Sequence, residues 1–271
     1  MAASAVAQPA FSEVIRAYRR RRRRRFAPLA LLGAAVAVSC GAAGLLDFET
    51  LANGVPAIAT LFREAIPPDF SNARHWLGPL WDTLAMSIAG TALAVGLAFP
   101  IAIFAARNTS AHPVLFAGAR ILLNGLRSVP ELIMGIVFVA AVGFGALPGV
   151  LALGLHSAGM VGKFFAEAIE HVDDGPVEAA RATGATPAQV FLHAVLPQVL
   201  PQFADVSIYR WEYNFRASTV MGMVGAGGIG FELVGSLRIM QYREVSALLL
   251  VILTMVTIID GLSGRLRRRF Q

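Results

Sequence analysis

The chain has 271 residues; 56% are hydrophobic, 15% are charged, and 23 basic against 17 acidic residues give a net charge of +6. Mean hydropathy is +0.63. Soluble domains carry about 25% charged residues, so this composition excludes an ordinary soluble enzyme. It points to an all-α polytopic membrane protein, whose helices are apolar all round because only lipid surrounds them.

Taken in order, residues 1–26 form an arginine-rich arm containing Arg16 and Arg19–Arg25, followed by the charge-free run Phe26–Leu46. An arginine run can bind nucleic acid, but here it abuts a hydrophobic span. It reads as a cytoplasmic flank under the positive-inside rule, with no nucleic-acid partner expected. The 21-residue run is longer than the core of a secretory signal, so it is read as an uncleaved first transmembrane helix, 27–47. It contains Cys40, the one cysteine, which has no intrachain partner.

Residues 48–77 read as an extracytoplasmic loop with room for one short helix. They carry Glu49, Arg63, Glu64, Asp69, Arg74 and a Pro67-Pro68 pair. A second span covers about 79–106. The run Leu132–Gly162 is too long for one crossing and is interrupted by Gly143, Gly145, Pro148 and Gly149. The third span therefore starts near Pro113 and contains Arg120, Arg127 and Glu131; the fourth is about 148–170. The charge-free stretch Ala182–Ala204 is too rich in proline and amides to face lipid. The fifth span is placed at about Leu196–Val224 and the last at 244–263, followed by the basic tail 265–271. Five spans thus make a core, 78–264, and with the first helix the count is six. An even count puts both termini on one side, and the arginine clusters independently put that side in the cytoplasm.

Between spans four and five, residues 174–195 read as two short helices. Pro176 suits a first helical turn. Ala179, Ala180 and Ala182 leave a smooth face, and Gly184 suits a left-handed C-terminal cap. Thr186 suits the N-cap of a second helix starting at Pro187. The segment Glu178-Ala179-Ala180-Arg181-Ala182-Thr183-Gly184, with Leu196-Pro197 downstream, resembles the EAA motif of ABC-importer permeases; Ala194 departs from the usual branched residue. The resemblance narrows to the phosphonate permease (PhnE) family through Arg127–Leu132, Phe164–Glu170, Leu196–Gln202, Tyr209–Glu212, Arg216–Val220 and Val224–Gly230, and it is weak over the first 75 residues.

That resemblance implies a type I (MetI-like) importer permease in the inner membrane, working as a homodimer with the pathway at the dimer interface. It implies two ATPase subunits and an external substrate-binding protein as partners. The coupling residues would be Glu178, Ala179, Ala180, Gly184, Ala185, Thr186, Pro187, Leu196 and Pro197. ATP and magnesium would bind the ATPase subunits, leaving this chain without cofactor, metal or catalytic residue. The implied cargo is phosphonate or a related oxyanion such as phosphite or phosphate. Alternatives are another small solute, methionine among them, or a proton-coupled secondary transporter using Glu131, Glu212 and His156. The last predicts inverted repeats, and none is visible.

Two polar stripes cross the membrane. Arg120, Asn124, Arg127 and Glu131 share one face at spacings of four, three and four; Asp205, Tyr209, Glu212, Arg216 and Thr219 repeat that pattern. A mid-bilayer charge costs at least about 2.5–3.5 kcal/mol, so both stripes must face protein or water. Arg127 or Arg216 is expected to pair with Glu212 or Glu131, holding spans three and five together. These four residues, with Ser218, Thr219 and Gly222 as neutral liners, are the pathway candidates. His156 and Lys163 share a face of span four and read as buried structural polars. Gly225, Gly227, Gly228 and Gly230 fit G-x-G-x-x-G, but they follow a membrane helix rather than a strand, so a dinucleotide site is excluded. They read as a gate loop ending span five. Gly162-Lys163 lacks the rest of a phosphate-binding loop.

Overall fold

The computed structural model describes residues 11–270; within the first helix it describes the side chains of Ile15, Tyr18, Phe26 and everything from Pro28 onward. The described residues are helices and short connections, in two units, 1–63 and 64–271. In the first, α1 spans Phe11–Ala42 and holds the apolar stretch Pro28–Ala42. Helix α2, Phe48–Ala65, begins after Asp47. The Asp47 carboxylate accepts from the Thr50 N–H at 3.1 Å and the Thr50 hydroxyl at 2.6 Å. These bonds favour its charged form and hold its pKa below the usual value. The region expected to be mostly loop is thus an 18-residue helix over more than half its length.

The second unit contains α3 (Leu77–Ala105), α4 (Pro113–Ser128), α5 (Glu131–Val142), α6 (Ala146–Glu170), α7 (Asp174–Ala182), α8 (Pro187–Val190), α9 (Leu196–Met221), α10 (Ile229–Arg238) and α11 (Tyr242–Arg267). Among the described residues, α3, α6 and α11 are each long and apolar enough to cross a bilayer. The pair α4–α5 bends by 84°, and the helix from Pro187 to Ala226 bends by 58° into α10; counting each pair once gives up to five crossings.

Small residues set the packing. In lipid, helix association depends on close contact rather than on expelling water, so small residues are favoured at interfaces. Ala94, Ala98, Ala102 and Ala105 of α3 are fully buried. Gly90 of α3 meets Leu153 of α6, and Gly154 of α6 meets Leu93 of α3. Gly159 and Gly162 admit the α4 backbone and Leu123 against α6. At the Ala105 end of this pair, Phe165 stacks on Phe203 with ring centroids 3.8 Å apart. Trp76, Ile229 and Leu248 close the opposite end.

The third crossing corrects an expectation. Arg120, Asn124, Arg127 and Glu131 do not share a continuous helix face, because α4 stops at Ser128 and α5 starts at Glu131. Pro130 has no N–H and forces Val129 into extended backbone (φ −89°, ψ 121°). Glu131 therefore leaves the stripe and sits on a helix that turns away.

A second difference concerns the helix of the fifth crossing, which has no helical break at Leu196. Helix runs on from Pro187 through α8 and a π-helical turn, Phe191–Val195, into α9. Pro197 cannot donate to the His193 carbonyl, and its ring crowds it. The Leu196 N–H instead reaches back five residues to Phe191, which is a π-bulge.

Candidate functional site

The segment 174–195 folds as a capped knob. Asp173 caps α7, its carboxylate accepting from the Gly175 N–H at 3.0 Å, and Pro176 lies in the first turn of that helix. Gly184 turns the chain at φ +80°. The Thr186 hydroxyl accepts from the Gln189 N–H at 3.4 Å, and the Gln189 side chain accepts from the Thr186 N–H at 2.8 Å, a reciprocal capping box. Val177, Ala180, Ala185 and Val190 turn inward onto the core, leaving Glu178, Ala179, Thr186 and Pro187 exposed.

Gln198 ties the knob to α9. Its carbonyl accepts from the Asp173 N–H at 2.9 Å, and its amide donates to the Ala194 carbonyl at 2.7 Å. Leu196 and Pro197 therefore mark the junction between knob and membrane helix. Sequence reading missed Gln198, because its partner Asp173 lies 25 residues away and leaves no local signal.

A polar chain crosses the interior. Trp211 donates to Ser87 at 3.2 Å and Asn214 to Thr91 at 2.9 Å, joining α9 to α3. Ser157 of α6 donates to Asn214 at 2.8 Å and accepts from the Arg210 Nε–H at 2.8 Å. Arg210 stacks over Tyr213 at 4.1 Å. Tyr213 donates to Glu131 Oε1 at 2.7 Å, and Glu131 Oε2 lies 3.1 Å from His156 Nε2. His156 Nδ1 lies 3.0 Å from the Val129 carbonyl, which the α4–α5 break leaves without its helical donor. A carbonyl only accepts, so Nδ1 carries a hydrogen. A hydrogen bond between Nε2 and the Glu131 carboxyl group requires one proton between them.

These distances revise the expected ion pairs. Arg216 does pair with Glu212, at 2.8 Å, but four residues along the same helix, and it reaches Asp260 of α11 at 3.2 Å. Arg267 also reaches Glu212, at 2.9 Å. Helices α5 and α9 are instead joined by Tyr213 and Glu131. The bend at Pro130 sets Glu131 beside α6 and α9 rather than in line with Arg127. Arg120 pairs with Glu170 at 2.8 Å.

Glu131, Tyr213 and Arg216 face one cavity of about 460 Å³, together with Pro130, Leu132, Ala217, Val220 and Met221. Arg127 lines a different, smaller cavity. Thr219 donates to the Arg216 carbonyl. Ser218 is fully buried, donating to the Phe215 carbonyl at 2.8 Å with the Thr83 carbonyl 3.2 Å away. Gly222 is pressed against Gly227 and the Phe231 backbone. Both are packed inside the subunit rather than lining that cavity.

The glycine segment ends α9 in a π turn, Gly222–Ala226, and then reverses. Gly225, Gly227 and Gly228 have φ of +101°, +77° and +76°, which other residues rarely adopt. Gly230 lies so close to the Thr219 carbonyl that any Cβ would overlap it. The Thr83 hydroxyl accepts from the Ile229 N–H at 2.9 Å, capping the start of α10 from α3. Among the described residues no group of His, Cys, Asp and Glu could hold a metal ion.

Residues 98–271 match the model of the family described as "Binding-protein-dependent transport system inner membrane component". The chain is 72% identical over 248 residues to the phosphite transport system permease protein PtxC of Stutzerimonas stutzeri, covering 92% of this chain and 90% of that protein. It is 43% identical over 226 residues to the phosphate-import permease protein PhnE of Mycolicibacterium smegmatis, covering 82% of this chain and 42% of that protein. Among solved structures, an inward-facing conformation of the MetNI methionine ABC transporter superposes with TM-score 0.62 at 22% identity, covering 72% of this chain and 96% of that one.

Proposed function

We infer the role of this chain from a family to which it belongs, that of binding-protein-dependent transport system inner membrane components. It is the transmembrane permease subunit of an ATP-binding-cassette importer for phosphorus compounds. Phosphite is the cargo the reading favours, supported by the 72% identity to a phosphite permease over nearly the whole chain. Phosphate and phosphonates are the related cargoes to set against it.

The docking site for the ATPase subunits is the exposed face of the knob, carried by Glu178 and Ala179. The single observation behind this is the capping at both helices, which holds the motif in a fixed shape on the α9 stem. Closure of the ATPases would push on α8, and α8 continues without a break into α9. That helix carries Arg216 into the cavity shared with Glu131 and ends at the Gly225–Gly230 reversal. Motion at the knob is thus delivered to both the cavity and the gate. The Ala105–Glu170 end, which bears the knob, is the cytoplasmic end in this reading, and both termini lie on that side. A second copy of this chain completes the pathway, and the binding protein meets the opposite face.

The test is uptake of phosphite by proteoliposomes holding the permease, its ATPase and its binding protein. Glu178→Arg should leave the permease folded but prevent ATPase co-purification and uptake. Uptake of methylphosphonate or phosphate in preference to phosphite would reassign the cargo. Recovery of the active complex only with a different permease chain would overturn the second copy.

A further inference from the structure

We propose that the cavity between α4 and α6 is an anion site, built for a small tetrahedral phosphorus oxyanion group and separate from the cavity at Arg216. Its volume is about 180 Å³, and Arg120, Asn124, Arg127 and Lys163 line it with Ala105, Leu123 and Ala166. Three cations and an amide donor face it, and no carboxylate does. Helix geometry explains the convergence. Arg120, Asn124 and Arg127 occupy one α4 face at spacings of four and three, and Lys163 projects from the helix that α4 packs against. Gly159 and Gly162 draw the two helices close.

The charges do not cancel. Arg120 is held by Glu170 at 2.8 Å and Lys163 by Glu167 at 3.5 Å. Among the described residues Arg127 has no carboxylate within ion-pair distance, although it is partly buried. One positive charge is therefore left in the site. A partly buried guanidinium with no anion is costly, whereas guanidinium and phosphorus oxyanions form short, charge-assisted bonds. An oxyanion with two or three acceptor oxygens would take donors from Arg127, Lys163 and Asn124 together.

Two sources offer that chemistry: free phosphite or phosphate, and the phosphodiester of an anionic lipid. Exposed Leu115, Ile121 and Leu122 on α4 are compatible with lipid nearby. The choice of phosphorus as the central atom rests on the reading of the cargo; the choice of an anion does not.

The test uses the full permease in nanodiscs, with [³²P]phosphate as probe and native mass spectrometry for retained lipid. In phosphatidylcholine, the wild type should bind phosphate saturably. Arg127→Gln with Lys163→Gln should weaken binding about tenfold or more, the usual scale for lost charge-assisted bonds. Arg127→Lys should recover part of it. Glu167→Gln, which releases Lys163, should tighten binding, a gain that misfolding could not produce. If phosphatidylglycerol displaces phosphate from the wild type and is retained by it but not by the double variant, the site is a lipid headgroup site, and the proposal stands. Equal phosphate binding and equal lipid retention by the wild type, the double variant and Glu167→Gln would overturn it. Phosphite uptake by wild-type proteoliposomes tests the cargo reading separately, so either can fail while the other survives.

Discussion

His156 bridges the break between α4 and α5, and removing it tests whether the bend at Pro130 is held by this one side chain. His156→Ala deletes two bonds at once. It leaves the Val129 carbonyl without that donor, costing about 0.5–1 kcal/mol because this contact is exposed. It also leaves Glu131 with Tyr213 but without its shared proton. Breaking a fully buried pair costs about 3–5 kcal/mol. Here the His156 and Glu131 side chains retain 13% and 22% of their exposure, so the lower part of that range applies. The combined loss should be about 3–4 kcal/mol. His156→Asn, which keeps a donor toward Val129, should lose less. Glu131→Gln should be mild, because an amide can donate to neutral Nε2, while Glu131→Ala should be severe. Denaturant unfolding of the purified permease would give the energies. The alanine double variant should lose less than the sum of the singles by about 1–3 kcal/mol. Additivity within about 0.5 kcal/mol would refute the shared-proton contact.

Gln198→Ala should uncouple the transporter: the ATPases still bind and hydrolyse ATP, while uptake per ATP falls several-fold; unchanged stoichiometry would sink the proposed tie. Arg216→Gln removes the links to both Glu212 and Asp260, while Arg267 still neutralises Glu212. Folding should therefore survive with a loss of about 1–2 kcal/mol, and phosphite uptake should fall at least tenfold; full uptake would remove Arg216 from the pathway. Gly230→Ala forces a Cβ onto a backbone carbonyl that cannot rotate away. The cost should reach about 3 kcal/mol or more, seen as a lower unfolding temperature or lost expression.

Much of this was legible in the chain because its causes are local. Apolar run length locates α3, α6 and α11, since crossing lipid is a matter of reach and composition. The knob is equally local: Gly184 takes the left-handed turn, and Thr186, Pro187 and Gln189 form a start signal whose partners lie within four residues. The glycines at 225, 227 and 228 announce a reversal by the same logic.

What the sequence could not show is decided across helices. A stripe argument assumes a straight helix, and Pro130 breaks the one holding Arg127 and Glu131. Arg210 and Asn214 lie one helical face away from the stripe drawn through Glu212 and Arg216. Their importance is visible only once Ser157 and Thr91 arrive from 53 and 123 residues away. Composition and periodicity determine that the chain enters the membrane and presents a rigid knob, because short-range backbone chemistry decides both. Which charges pair, which face a cavity and which are left over follow from the 84° bend and the close α3–α4–α6 packing, and those are properties of the tertiary structure alone.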